Sequence, residues 1–158
     1  MELILFIGLQ ASGKSRFFQR RFADTHVLVS KDLWPHARRK EGRQRRLIVE
    51  ALAAGRSVVV DNTHPMPEQR MPLIALGHEQ GARVLGFYFE SRLAECLARN
   101  AKREGRARVP EVALFATVKL LRRPGFEEGF DSLYHVRWAE DGGFIVEDWK
   151  KERDVGPG

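Results

Sequence analysis

Near the start of the chain, Phe6-Ile7-Gly8-Leu9-Gln10-Ala11-Ser12-Gly13-Lys14-Ser15 spells GxxxxGKS directly behind the apolar run Leu3–Ile7. Gly8 and Gly13 permit backbone torsions that turn successive N–H groups around a phosphate chain. In such a loop the lysine, here Lys14, reaches the outer phosphates, and the hydroxyl of Ser15 can hold Mg²⁺. A helix entered straight after the loop adds its positive N-terminal end. The motif requires a strand before it and a helix after it. Leu3–Ile7 supplies the first and the stretch 15–23 the second.

The chain of 158 residues is long enough for one domain with a real core, and its composition, 43% hydrophobic and 30% charged, is that of a globular protein. The apolar run at the start is too short to span a bilayer. Glu2 sits where a signal peptide would carry positive charge, so the expectation is a cytoplasmic protein. The one cysteine, Cys96, can form no internal disulfide and reads as a small apolar residue on a helix. The formal net charge is +6, gathered in two blocks. The first holds Arg38, Arg39, Lys40, Arg43, Arg45 and Arg46, and the second runs from Arg99 to Arg108. Such blocks suit an anionic partner, or they are solvated helix faces.

Strand-like and helical runs alternate. Expected strands are 3–7, 26–29, 57–60, 84–89 and 133–138, the last with a candidate partner at 144–146 across Asp141-Gly142-Gly143. Expected helices are 15–23, 43–54, 68–80, 92–103 and 111–121. This alternation predicts a mainly parallel sheet with helices on both faces. One domain over 1–149 and a frayed tail over 150–158 are expected.

Two strands end in aspartate. Asp32 follows the strand at 26–29 and Asp61 follows Val58-Val59-Val60, so both are placed at the carboxyl edge where ligands bind in open α/β sheets. Asp32 there can accept the proton of an attacking hydroxyl, or cap a helix. Asp61 can orient a water on Mg²⁺ or meet the acceptor, with Asn62 and Thr63 at the same rim. Arg92, Arg99, Arg103 and Arg106, spaced seven, four and three apart, form one stripe if the helix continues through them. A guanidinium stripe over a nucleotide neutralises charge in phosphoryl transfer. Gly105 then offers a hinge.

These pieces resemble the P-loop 5′-hydroxyl polynucleotide kinase family, the kinase module of phage and bacterial end-healing enzymes. The resemblance rests on GLQASGKS, the strand ending in SKD, VVVDNT and the string CLARNAKREGRARVP, which is similar to the family's lid, and covers about residues 1–138. It implies a three-layer α/β/α fold with a five-stranded, mainly parallel sheet and a helical lid over about 92–121. It implies transfer of the γ-phosphate of ATP or another NTP to the 5′-OH of DNA or RNA, in the presence of Mg²⁺. Carried over position by position, Gly8, Ala11, Ser12, Gly13, Lys14 and Ser15 would hold the nucleotide and Ser15 the metal. Asp32 would be the general base, with Lys14 and Arg103 as its catalytic partners. Arg99 and Arg103 would sit on the donor phosphates. Asp61, Asn62 and Thr63 would meet the acceptor, in a basic groove with Arg38, Arg39 and Arg43. The chain departs from the family at Pro35, where an arginine for the acceptor's 3′-phosphate is common, and at Gln10-Ala11, where Pro-Gly is common. A monomer acting in nucleic acid repair is the corresponding expectation. A small-molecule kinase for a sugar, antibiotic or nucleoside, and a slowly hydrolysing ATP-binding switch, are the alternatives.

Overall fold

The computed structural model describes residues 1–90 and 92–149; the tail expected over 150–158 lies outside the described residues. Elements alternate as β1 (Glu2–Ile7), α1 (Lys14–Arg21), β2 (His26–Val29), α2 (Lys40–Ala53), β3 (Ser57–Asp61), α3 (Pro67–Glu79) and β4 (Arg83–Phe89), then α4 (Leu93–Ala101), α5 (Glu111–Leu120), β5 (Ser132–Trp138) and β6 (Phe144–Asp148). Their order in the sheet is β2-β3-β1-β4-β5-β6. The first five strands run parallel, and β6 pairs antiparallel with β5. No helix among the described residues is long and apolar enough to cross a membrane.

Alternating side chains of β1 feed two cores, as the strand period of two requires. Leu3, Leu5 and Ile7 pack towards Ile48 and Leu52 of α2 and Ile74 of α3. Ile4 and Phe6 face Phe17 and Phe18 of α1 together with Phe87 and Phe89. The second core is an aromatic lattice of edge contacts, with ring centroids of Phe6–Phe89 at 5.1 Å and Phe17–Phe89 at 5.3 Å. The same lattice corrects the strand count. Phe144 reaches Phe17 at 5.2 Å and Trp138 at 4.5 Å, so β6 is recruited into the core, and the sheet has six strands rather than five.

Two of the shifts in helix boundary from the sequence expectation bear on the site. Helix α2 starts at Lys40, three residues early, because Arg39 turns left-handed at φ 55° and launches it. Helix α4 stops at Ala101 rather than Arg103. The cause is Asn100, whose amide donates to the Val109 carbonyl at 2.7 Å while its oxygen accepts from the Val109 N–H at 2.9 Å. That side chain closes 101–109 into a loop and breaks the expected arginine stripe.

The segment leaving β3 is held by a buried ion pair. Arg70 of α3 meets Glu128 with two hydrogen bonds, at 2.7 Å and 3.0 Å. Its remaining nitrogen donates to the carbonyls of His64 and Arg122. His64 itself sits at φ 45° and donates from Nδ1 to the Phe6 carbonyl at 2.7 Å. Burial holds its imidazole neutral, with the pKa lowered from 6.5 to about 4.

Glu128→Ala strands the Arg70 guanidinium, which is 0% exposed, without its counter-ion. The expected loss is about 3–5 kcal/mol in urea denaturation, and the double variant Arg70→Met, Glu128→Leu recovers most of it. For His64 the unfolded chain takes up a proton below about pH 6.5 that the folded protein refuses until about pH 4. Its contribution is therefore full above pH 6.5 and fades as pH falls through that window, by about 3 kcal/mol. Denaturation of His64→Asn should show a flatter pH dependence than wild type between those limits, since asparagine also tolerates the left-handed backbone.

Candidate active site

The phosphate-binding turn, 8–15, is held from several sides. The Gly8 N–H donates to the Thr63 carbonyl at 3.0 Å, tying the turn to the exit of β3. Trp138, at the end of β5, donates from its indole N–H to the Ser12 carbonyl at 3.1 Å. Its ring lies so close that a Cβ on Gly13 would stand 2.7 Å from it, and Gly13 also has φ 107°, so glycine is required there on both grounds. Ala11 adopts φ 63°, a left-handed position natural to glycine, and its methyl packs with Leu9, Cys96 and Leu114. This third apolar cluster fastens α4 and α5 to the turn, leaving the loop 102–109 as the part that projects.

Lys14 is buried and folds its ammonium onto the carbonyls of Gly8 at 3.1 Å and Leu9 at 2.7 Å. Burial lowers its pKa, and the nearby Asp61 carboxylate opposes that shift. Asp61 is buried too, and burial raises its pKa against the pull of Lys14. Its Oδ2 accepts from the Ser15 hydroxyl at 3.2 Å. The sequence reading gave Asp61 either a water on Mg²⁺ or the acceptor; the structure sets its carboxylate on Ser15 and in the lining of the cleft.

Asp32 stands on a short 3₁₀ turn, Lys31–Leu33, whose Ser30 cap accepts from the Asp32 N–H at 3.3 Å. Asn62 fixes that turn. Its oxygen accepts from the Lys31 N–H at 3.1 Å, and its amide donates to buried Gln44 of α2 at 2.8 Å. Asn62, expected to meet the acceptor, lines the cleft and also orients the Asp32 turn through its oxygen.

One cleft of about 1380 Å³ joins these parts: Lys14, Ser15, Asp32, Asp61, Thr63 and Arg103 all line it. Its size exceeds the roughly 300–1,000 Å³ of a pocket for one small ligand, which suits two. The basic lining departs from expectation in both blocks. Arg38 and Arg39 are exposed and lie outside the lining, as does Arg43, which stacks on Trp34 at 4.9 Å. Lys40 and Arg45 line the cleft instead, because the earlier start of α2 turns 40, 41, 44 and 45 towards it. Arg99 donates to the Ala11 carbonyl at 3.0 Å and lies over Trp138 at 4.8 Å, outside the lining. Arg103 and Arg106, carried by the loop beyond α4, are the arginines of that block that reach the cleft. Trp138 gave no signal in the sequence, being 126 residues from the carbonyl it holds. Asn100 lay unremarked inside the arginine-rich string.

The turn fits a phosphate chain on the evidence of its own polar atoms. The Ser12 hydroxyl is buried without a partner, and Lys14 has only backbone carbonyls to hold. Both would find better partners in phosphate oxygens. Ser15 and Asp61, a hydroxyl beside a carboxylate, form a hard oxygen pair that suits Mg²⁺.

Comparison with known proteins agrees with this layout. A bifunctional polynucleotide phosphatase/kinase of Schizosaccharomyces pombe is 26% identical over 141 residues, covering 85% of this chain and 33% of its own length. The chain thus spans about a third of the curated relative it matches. Among solved structures, a fungal RNA kinase superposes with a TM-score of 0.67 at 13% identity, over 85% of this chain and 38% of that one. A gluconokinase from Sinorhizobium meliloti 1021 gives 0.62 at 19% identity, over 86% of this chain and 82% of that one. These structural likenesses show the P-loop kinase fold and nothing finer. The family model described as an AAA domain matches residues 3–124, most of the chain and every element around the cleft except β5 and β6, and the protein belongs to that family.

Proposed function

We propose that the protein is a kinase that moves the γ-phosphoryl group of ATP to the 5′-hydroxyl end of DNA or RNA. The observation that supports it most is the shared cleft. Buried Lys14 and Asp61, the Ser15 hydroxyl bonded to Asp61, and the exposed Asp32 carboxylate open onto one space, with Arg103 and Arg106 on its wall. The sequence likeness to a polynucleotide phosphatase/kinase supports the choice of a 5′-hydroxyl as acceptor.

In this reading the backbone turn and Lys14 hold the donor phosphates. Asp32 takes the proton of the attacking hydroxyl as its oxygen bonds to the γ-phosphorus. The bond from that phosphorus to the β,γ-bridging oxygen breaks, and ADP leaves with the electron pair. Arg103, and with it Arg106, offsets the charge on the transferring group. Ser15, with the Asp61 carboxylate beside it, would hold Mg²⁺, which when bound would supply neutralisation of the phosphate charge. Asn62 and Gln44 keep the Asp32 turn in place throughout. A cytoplasmic monomer is part of the same reading.

The test is transfer of labelled γ-phosphate to a 5′-OH oligonucleotide. Wild type should label it. Asp32→Asn should lower kcat by about 10²–10⁴ with ATP affinity unchanged. Arg103→Ala should lower kcat by about 10³ or more. A wild-type protein that binds ATP yet labels no 5′-OH end overturns the proposal.

A further inference from the structure

The walls of the cleft away from the phosphate-binding turn come from the Asp32 loop and from two helices that pack together, α2 and α3. The helices bring Lys40 and Arg45 to this lining together with Glu41 and Glu68, and Glu41 pairs with Lys31 of the Asp32 loop. Leu33, Pro35, Pro72 and Leu73 give this part of the cleft an apolar surface. The surplus arginines of the first basic block, Arg38, Arg39 and Arg46, stand outside the lining.

The unpartnered polar atoms sharpen this picture. His64 lines the cleft, and its Nε2 is buried without a partner. Because Nδ1 donates to the Phe6 carbonyl and the ring is held neutral, Nε2 carries a bare lone pair. Such an atom accepts from a hydroxyl or N–H and repels a phosphate oxygen. Gln44 and Gln69 spend their oxygens on Asn62 and on the Met66 N–H, which leaves their amide donors for a ligand. Neutral donors, a neutral acceptor and an apolar face match a nucleoside. A backbone phosphate would need convergent cations, and this wall intersperses its cations with Glu41 and Glu68.

Resting on the kinase reading above, we infer that the acceptor is recognised through its terminal nucleoside and not through its phosphates. The base packs on the apolar wall, and sugar or base hydrogen-bonding groups engage His64, Gln44 and Gln69. A 3′-phosphate contributes little.

The experiment measures kcat/KM of the wild-type chain, with labelled ATP, on a nucleoside, the same nucleoside 3′-monophosphate and a 5′-OH oligonucleotide beginning with it. The expected result is three values within about tenfold of one another. Acceptor KM should also change little with salt, whereas three phosphate contacts would make it rise with a log–log slope of about +2 on a single strand. Two results bear on the inference and the kinase reading separately. If the 3′-phosphorylated acceptors are favoured over the nucleoside by more than about tenfold, or the salt slope is steep, the inference falls and the polynucleotide kinase reading stands. If nucleoside and monophosphate are labelled and the oligonucleotide is not, the inference stands and the polymer acceptor falls. If none of the three is labelled, both fall.

Discussion

A loop that offers N–H groups to an anion cannot also spend those groups on holding itself together. Apart from the N–H groups of Gly8, on the Thr63 carbonyl, and Ser12, on the Leu9 carbonyl, the turn between β1 and α1 is braced through its carbonyls and its non-polar atoms. Trp138 grips the Ser12 carbonyl, Arg99 the Ala11 carbonyl, and Lys14 those of Gly8 and Leu9. The Leu9–Ala11–Cys96–Leu114 cluster pins the same turn to α4 and α5, which flank the loop that carries Arg103 and Arg106. Preorganisation of this kind means that a bound phosphate chain meets donors already in place, and the cost of ordering them is carried by the fold.

The bracing also explains how charge is shared across the molecule. Lys14 and Asp61 are both buried, each shifted by burial towards its neutral form and each opposed by the other. That opposition offsets part of the cost of burying both groups beside the Ser15 hydroxyl. Further out, the cleft mixes cations with acids: Lys31, Lys40, Arg45, Arg103 and Arg106 line it with Asp32, Glu41 and Glu68, while Arg38, Arg39, Arg43 and Arg46 stand outside the lining.

The β3 exit loop is the second organising element. Arg70 and Glu128 secure it from below, His64 ties it to β1, and Asn62 passes that order on to the Asp32 turn. Asp32 is exposed and sits on only one turn of 3₁₀ helix, so its orientation depends on this relay.

Local chemistry was legible before any coordinates. The strands, the phosphate-binding turn and the edge positions of Asp32 and Asp61 follow from hydrophobic period, glycine placement and strand ends, all of which act over a few residues. What the residues near a motif touch was not legible. Arg99 and Arg103 look equivalent in one arginine-rich string, yet Asn100 ends the helix between them and sends only Arg103 into the cleft. Arg38 and Lys40 look equivalent in one basic block, yet the left-handed turn at Arg39 separates them. Trp138 and the Arg70–Glu128 pair join positions 126 and 58 residues apart. Spacing along the chain dictates backbone form because torsions are local. Which side chain meets which depends on packing between distant elements, and that was settled only when the sheet closed around the turn.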